Sequence, residues 1–201
     1  MQLDHLAVAG ESLEAAAAHL EAALGLPLQP GGQHPRFGTH NRLLGLEDGL
    51  YLEAIAIDPD APAPDCPRWF DLDRLAGTPH LRCWICRVPD LDAALERHPV
   101  AGTPLNLARG DLRWRMAVPA GGVLPFDNRF PALIEWQGAA HPAQRLAPSG
   151  ARLRRLIVAH PEAAALRAAL GDLSDPRIAF EPGAPALCAE FDTPHGARVL
   201  Q

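Results

Sequence analysis

A segment written twice does more than any other feature to limit the folds open to this chain. Ser12-Leu13-Glu14-Ala15-Ala16, which follows strand-like residues 3–9, returns as Asp90-Leu91-Asp92-Ala93-Ala94 behind strand-like residues 81–88. Ser12 and Asp90 each suit a helix N-cap, and Leu13, Ala16, Ala17, Leu20 and Leu24 recur at helical spacing until Gly25 stops the first helix. Alternating runs at 41–46 and 50–57 read as a hairpin turning at Glu47-Asp48-Gly49, and strand-like runs at 112–118 and 132–136 follow the second helix. A period of about 80 residues is too long for a solenoid and implies duplicated half-domains whose sheets join around a cavity. Aligning the copies sets Leu52-Glu53 against Ile134-Glu135, and His5 against Cys83.

The proline-rich run Asp58-Pro59-Asp60-Ala61-Pro62-Ala63-Pro64-Asp65 breaks the pattern. The expected organisation is a first module at 1–58, a linker at 59–79, a second module at 80–146 and a third unit at 147–201. The third unit is a shorter echo: residues 153–158, 162–170, 177–180 and 186–191 read as strand, helix, strand, strand, covering a sheet or an interface.

With 201 residues of which 48% are hydrophobic, the chain can bury a large core. A net charge of -6 argues against nucleic acid as a partner. No apolar run approaches a membrane span and no leader-like segment opens the chain, so the expectation is a cytoplasmic protein. Four scattered cysteines do not make a disulfide scaffold. Cys83-Trp84-Ile85-Cys86 has the C-x-x-C form, but within a strand its two thiols point to opposite faces. Dinucleotide fingerprint, P-loop and nucleophile elbow are all absent, so no nucleotide cofactor is expected.

Glu53 and Glu135 each sit in an apolar, strand-like run, and a buried carboxylate needs a cation, a metal or a proton. A salt bridge to Arg113 or Arg115 would serve equally. His5 is either a core histidine satisfied by a carbonyl or a ligand. His34, His40 and Asn41 flank a glycine-bearing loop and can donate to a bound carbonyl or carboxylate, or else are solvated. Arg113 and Arg115 share one strand face with Asp111, opposite Leu112, Trp114 and Met116, and that face meets either the cavity or water.

The combination resembles the vicinal oxygen chelate superfamily, in its glyoxalase-like branch. The likeness runs over most of residues 2–142. It is carried by Leu3-Asp4-His5-Leu6 with the Ser12 helix, His34-Pro35, Gly38-Thr39-His40-Asn41 and Tyr51-Leu52-Glu53. Later come Arg113-Trp114-Arg115, Leu124-Pro125-Phe126, Ile134-Glu135-Trp136 and His141-Pro142. The resemblance implies an α+β fold, with paired βαβββ modules forming a curved mixed sheet around a cleft and a degenerate βαββ segment at the C-terminus. It implies a divalent metal (Zn, Ni, Mn or Fe) held by His5, Glu53 and Glu135, with Cys83 where a further ligand is usual. The implied function is a lyase, isomerase or dioxygenase chelating adjacent oxygens of a small oxygen-rich substrate. Glu135 would move the proton, and His34, His40, Asn41, Arg113 and Arg115 would bind the substrate. A metal-free protein that only binds or sequesters a small molecule is the alternative. A homodimer is compatible with either.

Overall fold

The computed structural model describes residues 1–201. The first module runs β1 (Gln2–Ala9), α1 (Leu13–Leu24), β2 (Gln29–His34), β3 (Thr39–Gly45) and β4 (Tyr51–Ile57). The second runs β5 (His80–Arg87), α2 (Leu91–Arg97), β6 (Thr103–Arg109), β7 (Leu112–Val118), a single turn α3 (Pro125–Asn128) and β8 (Ala132–Gln137). Ser12 accepts from Ala15 N and Asp90 from Ala93 N, so both helices begin where the repeated motif places their caps. Gly25 ends α1 at φ 70°, a left-handed conformation that glycine adopts without a Cβ penalty.

These strands form one eight-stranded sheet in the order β2-β3-β4-β1-β5-β8-β7-β6. Its centre is the antiparallel β1–β5 pair, where His5 faces Ile85, Leu6 faces Trp84 and Ala7 faces Cys83. Under the offset that relates Ser12 to Asp90, Leu6 and Trp84 are equivalent, so a local twofold passes between them. The register slips symmetrically on either side, skipping Asp4 in β1 and its equivalent Arg82 in β5. The sheet curls until its two edges approach one another.

Both edges were hidden in the sequence. β2 carries a proline and two glycines, which read as loop, and β6 has only a weak strand pattern; such strands survive at edges, where one side needs no partner. Gly31 and Gly32 lie where the β2–β3 register shifts, a bulge rather than the turn that the Gly-Gly pair alone signals. A Cβ at Gly31 would stand 2.1 Å from Asn41 Oδ1 and 2.4 Å from the Asn41 carbonyl oxygen. Gly31→Ala should therefore cost about 1–3 kcal/mol, read from the denaturant midpoint; an unchanged midpoint would show that β2 moves away freely.

The linker does more than connect. Its short 3-10 segment Trp69–Arg74 buries Trp69, Phe70 and Leu72. Phe70 and Asp71 lie at φ 57° and 58°, left-handed values costly for side-chain-bearing residues. Arg82 holds them, donating to Phe70 O at 2.9 Å and Asp71 Oδ2 at 2.6 Å.

The last unit is β9 (Arg152–Ala159), α4 (Ala163–Ala169), β10 (Ile178–Glu181), β11 (Ala186–Thr193) and β12 (Gly196–Leu200). Its order, strand, helix and three strands, is that of the modules, and β12 is the strand that the expected βαββ segment lacks. The pairing differs: β9 lies between β10 and β11, whereas in the first module the first strand pairs with the fourth. Phe180 meets Trp84 edge to face, which ties this second sheet to the back of the central pair.

Candidate functional site

The cleft inside the curled sheet draws on His5, His34, Asn41, Tyr51, Glu53, Trp69, Arg109, Trp114 and Trp136, with about 30 Å³ of free space, room for roughly one or two waters. His5 and Glu53 come together because β1 and β4 pair in parallel with His5 opposite Tyr51 and Ala7 opposite Glu53. The imidazole stacks on Tyr51 at 4.2 Å, and its Nε2 stands 3.8 Å from Glu53 Oε2. Asn41, diagonal to Glu53 across β3–β4, donates its amide to Glu53 Oε1.

Asp4 orients the histidine. Successive strand residues ordinarily face opposite ways, and the sequence accordingly places Asp4 away from His5. The register slip at Asp4 removes that constraint, and its fully buried carboxylate accepts from His5 Nδ1 at 2.6 Å, His141 Nε2 at 3.0 Å and Trp136 Nε1 at 3.1 Å. Ala143 N donates to His141 Nδ1, which leaves His141 Nε2 to carry the proton. Burial opposes ionisation of Asp4, but the hydrogen bonds from His141 and His5 outweigh it and hold the carboxyl well below the usual range. With Nδ1 bound to Asp4, His5 directs Nε2 into the cleft on the side of Glu53.

A second chain starts from Arg109 on β6. Its Nη1 donates to Asn41 Oδ1 at 3.1 Å and to His34 Nε2 at 3.0 Å, while Gly32 N also donates to Asn41 Oδ1 at 2.8 Å. Since arginine only donates, His34 Nε2 is the acceptor and its Nδ1–H goes to Thr39 Oγ1. Burial and the Arg109 charge lower the His34 pKa to about 3, so it stays neutral. Burial, with Asp4 and Glu53 nearby, pushes the Tyr51 hydroxyl well above its ordinary value. Trp69 Nε1 is buried with no acceptor in the protein, leaving a free donor on a side chain of the cleft wall.

Among the expected site residues, His5, Glu53, His34 and Asn41 line this cleft. Glu135 does not join them. The ladders place Ala7 opposite Glu53 and its equivalent Ile85 opposite Ala132, so the structural counterpart of Glu53 is Ala132, three residues before Glu135. An odd displacement along a strand reverses the face. Ile134 and Trp136 line the cleft, while Glu135 Oε2 accepts from Leu91 N at 2.8 Å and Arg115 Nη1 at 3.3 Å beside the start of α2. Arg113 and Arg115 do share a face, but it is the outer one: Arg113 bonds Gly110 O and Leu112 O, and Arg115 bonds Asp92 and Glu135. His40 is outside the cleft, with Nδ1 4.0 Å from Asp58 Oδ1. Asp4 and Arg109 are the site residues that sequence reasoning missed.

The donor set does not fit a divalent centre with three protein ligands. His5 Nε2 and Glu53 Oε2 face each other, and no three His, Cys, Asp or Glu side chains converge. Cys83, which the local twofold equates with His5, is fully buried and burial pushes its thiol up to about 12. It packs as a small hydrophobe.

A curled sheet of two twofold-related modules, with a cleft lined from both of them, defines a protein of the vicinal oxygen chelate fold. The glyoxalase-like domain model matches residues 3–174, and the chain belongs to that family. Among solved structures, a hypothetical protein from Staphylococcus aureus aligns with a TM-score of 0.62 at 14% identity, over 92% of this chain and 87% of its own. Methylmalonyl-CoA epimerase from Mycobacterium tuberculosis aligns at 0.44 and 22% identity, over 69% and 88%. Streptomyces coelicolor methylmalonyl-CoA epimerase in complex with 2-nitronate-propionyl-CoA aligns at 0.45 and 18%, over 69% and 97%. The Staphylococcus aureus protein shares the fold. No curated protein sequence matches the chain. No helix is long and apolar enough to cross a membrane.

Proposed function

We propose that this protein is an enzyme that moves a proton at a carbon beside a carbonyl in a small oxygen-rich acid, using side chains rather than a metal ion. The observation that carries the proposal is the Asp4–His5 pair, with Nδ1 bound at 2.6 Å and Nε2 directed at Glu53 across 3.8 Å. In the step, His5 Nε2 takes the proton, the C–H electrons pass into the carbonyl, and an enolate forms. Asp4 offsets the imidazolium charge, as a buried carboxylate does for other catalytic histidines. Arg109 and Trp69 Nε1 are the donors available to the developing oxyanion. The proton then returns to carbon or oxygen, completing an isomerase-type reaction. Glu53, tethered by Asn41, is the second carrier.

The test is hydrogen–deuterium exchange in D2O, followed by NMR, over a panel of small 2-oxo and 2-hydroxy acids. Wild-type protein should catalyse exchange beside the carbonyl, His5→Gln should slow it by about 10²–10⁴-fold, and Glu135→Gln should leave it unchanged. No exchange across the panel would end the proposal. So would stoichiometric divalent metal that vanishes in both His5→Gln and Glu53→Gln, since that result restores the chelating enzyme. A metal-free binding protein is the second reading. The restricted 30 Å³ of free space favours it, because reaction requires a wall residue to move aside.

A further inference from the structure

One side chain borders two cavities. Arg109 lines the cleft and also an outer pocket of about 360 Å³, whose wall carries the three leucines Leu43, Leu112 and Leu146 and, beside them, Gln29 and the mutually paired Asp111 and Arg145. That volume falls within the range of small-molecule sites, whereas the cleft alone does not. Both acceptors of Arg109, Asn41 Oδ1 and His34 Nε2, are neutral, and both are served by Nη1. Its Nη2 and Nε therefore remain for a planar anion, which a guanidinium binds as a fork. The side chain crosses a glycine floor: a Cβ at Gly32 would come within 2.7 Å of Arg109 Cδ.

The geometry points to a substrate in two parts: an acid whose carboxylate-bearing, reacting end enters at Arg109, and whose apolar chain of several carbons stays in the outer pocket. The inference rests on the proton-transfer reading and narrows its substrate to chain-bearing acids. Displacing the two Nη1 contacts would let Arg109 turn toward the carboxylate and open the cleft to the reacting carbon.

The experiment is calorimetric titration of the full chain with acetate, butanoate, hexanoate and octanoate, with octan-1-ol as the uncharged control. Affinity should rise at least about tenfold from acetate to octanoate, as methylenes leave water. Octan-1-ol should bind at least about tenfold more weakly than octanoate, and Arg109→Gln should weaken the acid series by a similar factor. Leu146→Trp, which fills the outer pocket from its rim, should bring the octanoate-to-acetate ratio close to one. A flat series, a length dependence that survives Leu146→Trp, or indifference to Arg109→Gln would each overturn the inference. His5→Gln should slow deuterium exchange by the same factor of about 10²–10⁴ and keep the binding series. Length-dependent binding without wild-type exchange sinks only the proton-transfer reading, and exchange without length dependence sinks only this one.

Discussion

Asp4→Ala is expected to destabilise the protein by about 3–5 kcal/mol, the usual cost of removing one member of a buried charged network. Three donors, His5 Nδ1, His141 Nε2 and Trp136 Nε1, would lose their acceptor at a position with no solvent exposure. Asp4→Asn should cost less, about 1–3 kcal/mol, because its shape is retained while its amide sets a donor against a donor. The carboxyl is held below its unfolded value, so its contribution is complete above about pH 4 and fades as the pH falls further. Urea midpoints for the three proteins at neutral pH provide the measurement. A difference within about 0.5 kcal/mol between wild type and Asp4→Ala would mean that the network contributes nothing net.

Acid should weaken the fold earlier through His34. In the unfolded chain this imidazole binds a proton near pH 6.5, while in the folded protein burial and Arg109 hold it neutral down to about 3. Unfolding then takes up a proton throughout that window. Stability contributed by the neutral ring is complete above 6.5 and falls as the pH drops toward 3, by up to about 1.4 kcal/mol per unit. Stability followed from pH 7 to pH 4 should show this slope in wild type and lose it in His34→Gln. Equal slopes in the two proteins would place the acid sensitivity elsewhere. The same protonation would oppose Arg109 with a second cation at the threshold of the cleft, so Arg109 should leave Asn41 and His34 over the same range.

The alternation of Leu112, Trp114 and Met116 against Arg113 and Arg115 shows why half of a site can be legible while the other half misleads. The alternation was correct, but period-two spacing states which residues share a face and not which face is concave. His5 and Glu53 were recoverable because they sit within strongly patterned strands, whereas Asn41 was reached through the glycine-bearing loop and the family resemblance. Arg109 lies on an edge strand with little pattern, and no local signal tells that the two edges meet.

The repeated helix start, the two capped helices and the strand sequence around them are short-range matters of spacing, capping and turn chemistry. They led from residues to paired modules, a curved mixed sheet and the family. Ladder register and sheet curvature come from contacts between distant segments. Register made Ala132, and not Glu135, the structural equivalent of Glu53 and freed Asp4 to reach beneath His5. Curvature brought Arg109 across to Asn41. A displacement of three residues in one strand is nearly invisible to hydrophobic patterning, yet it turns a carboxylate from the cleft to the outside. That is why composition and periodicity could reach the architecture, while the chemistry of the cleft depended on how the strands were finally aligned.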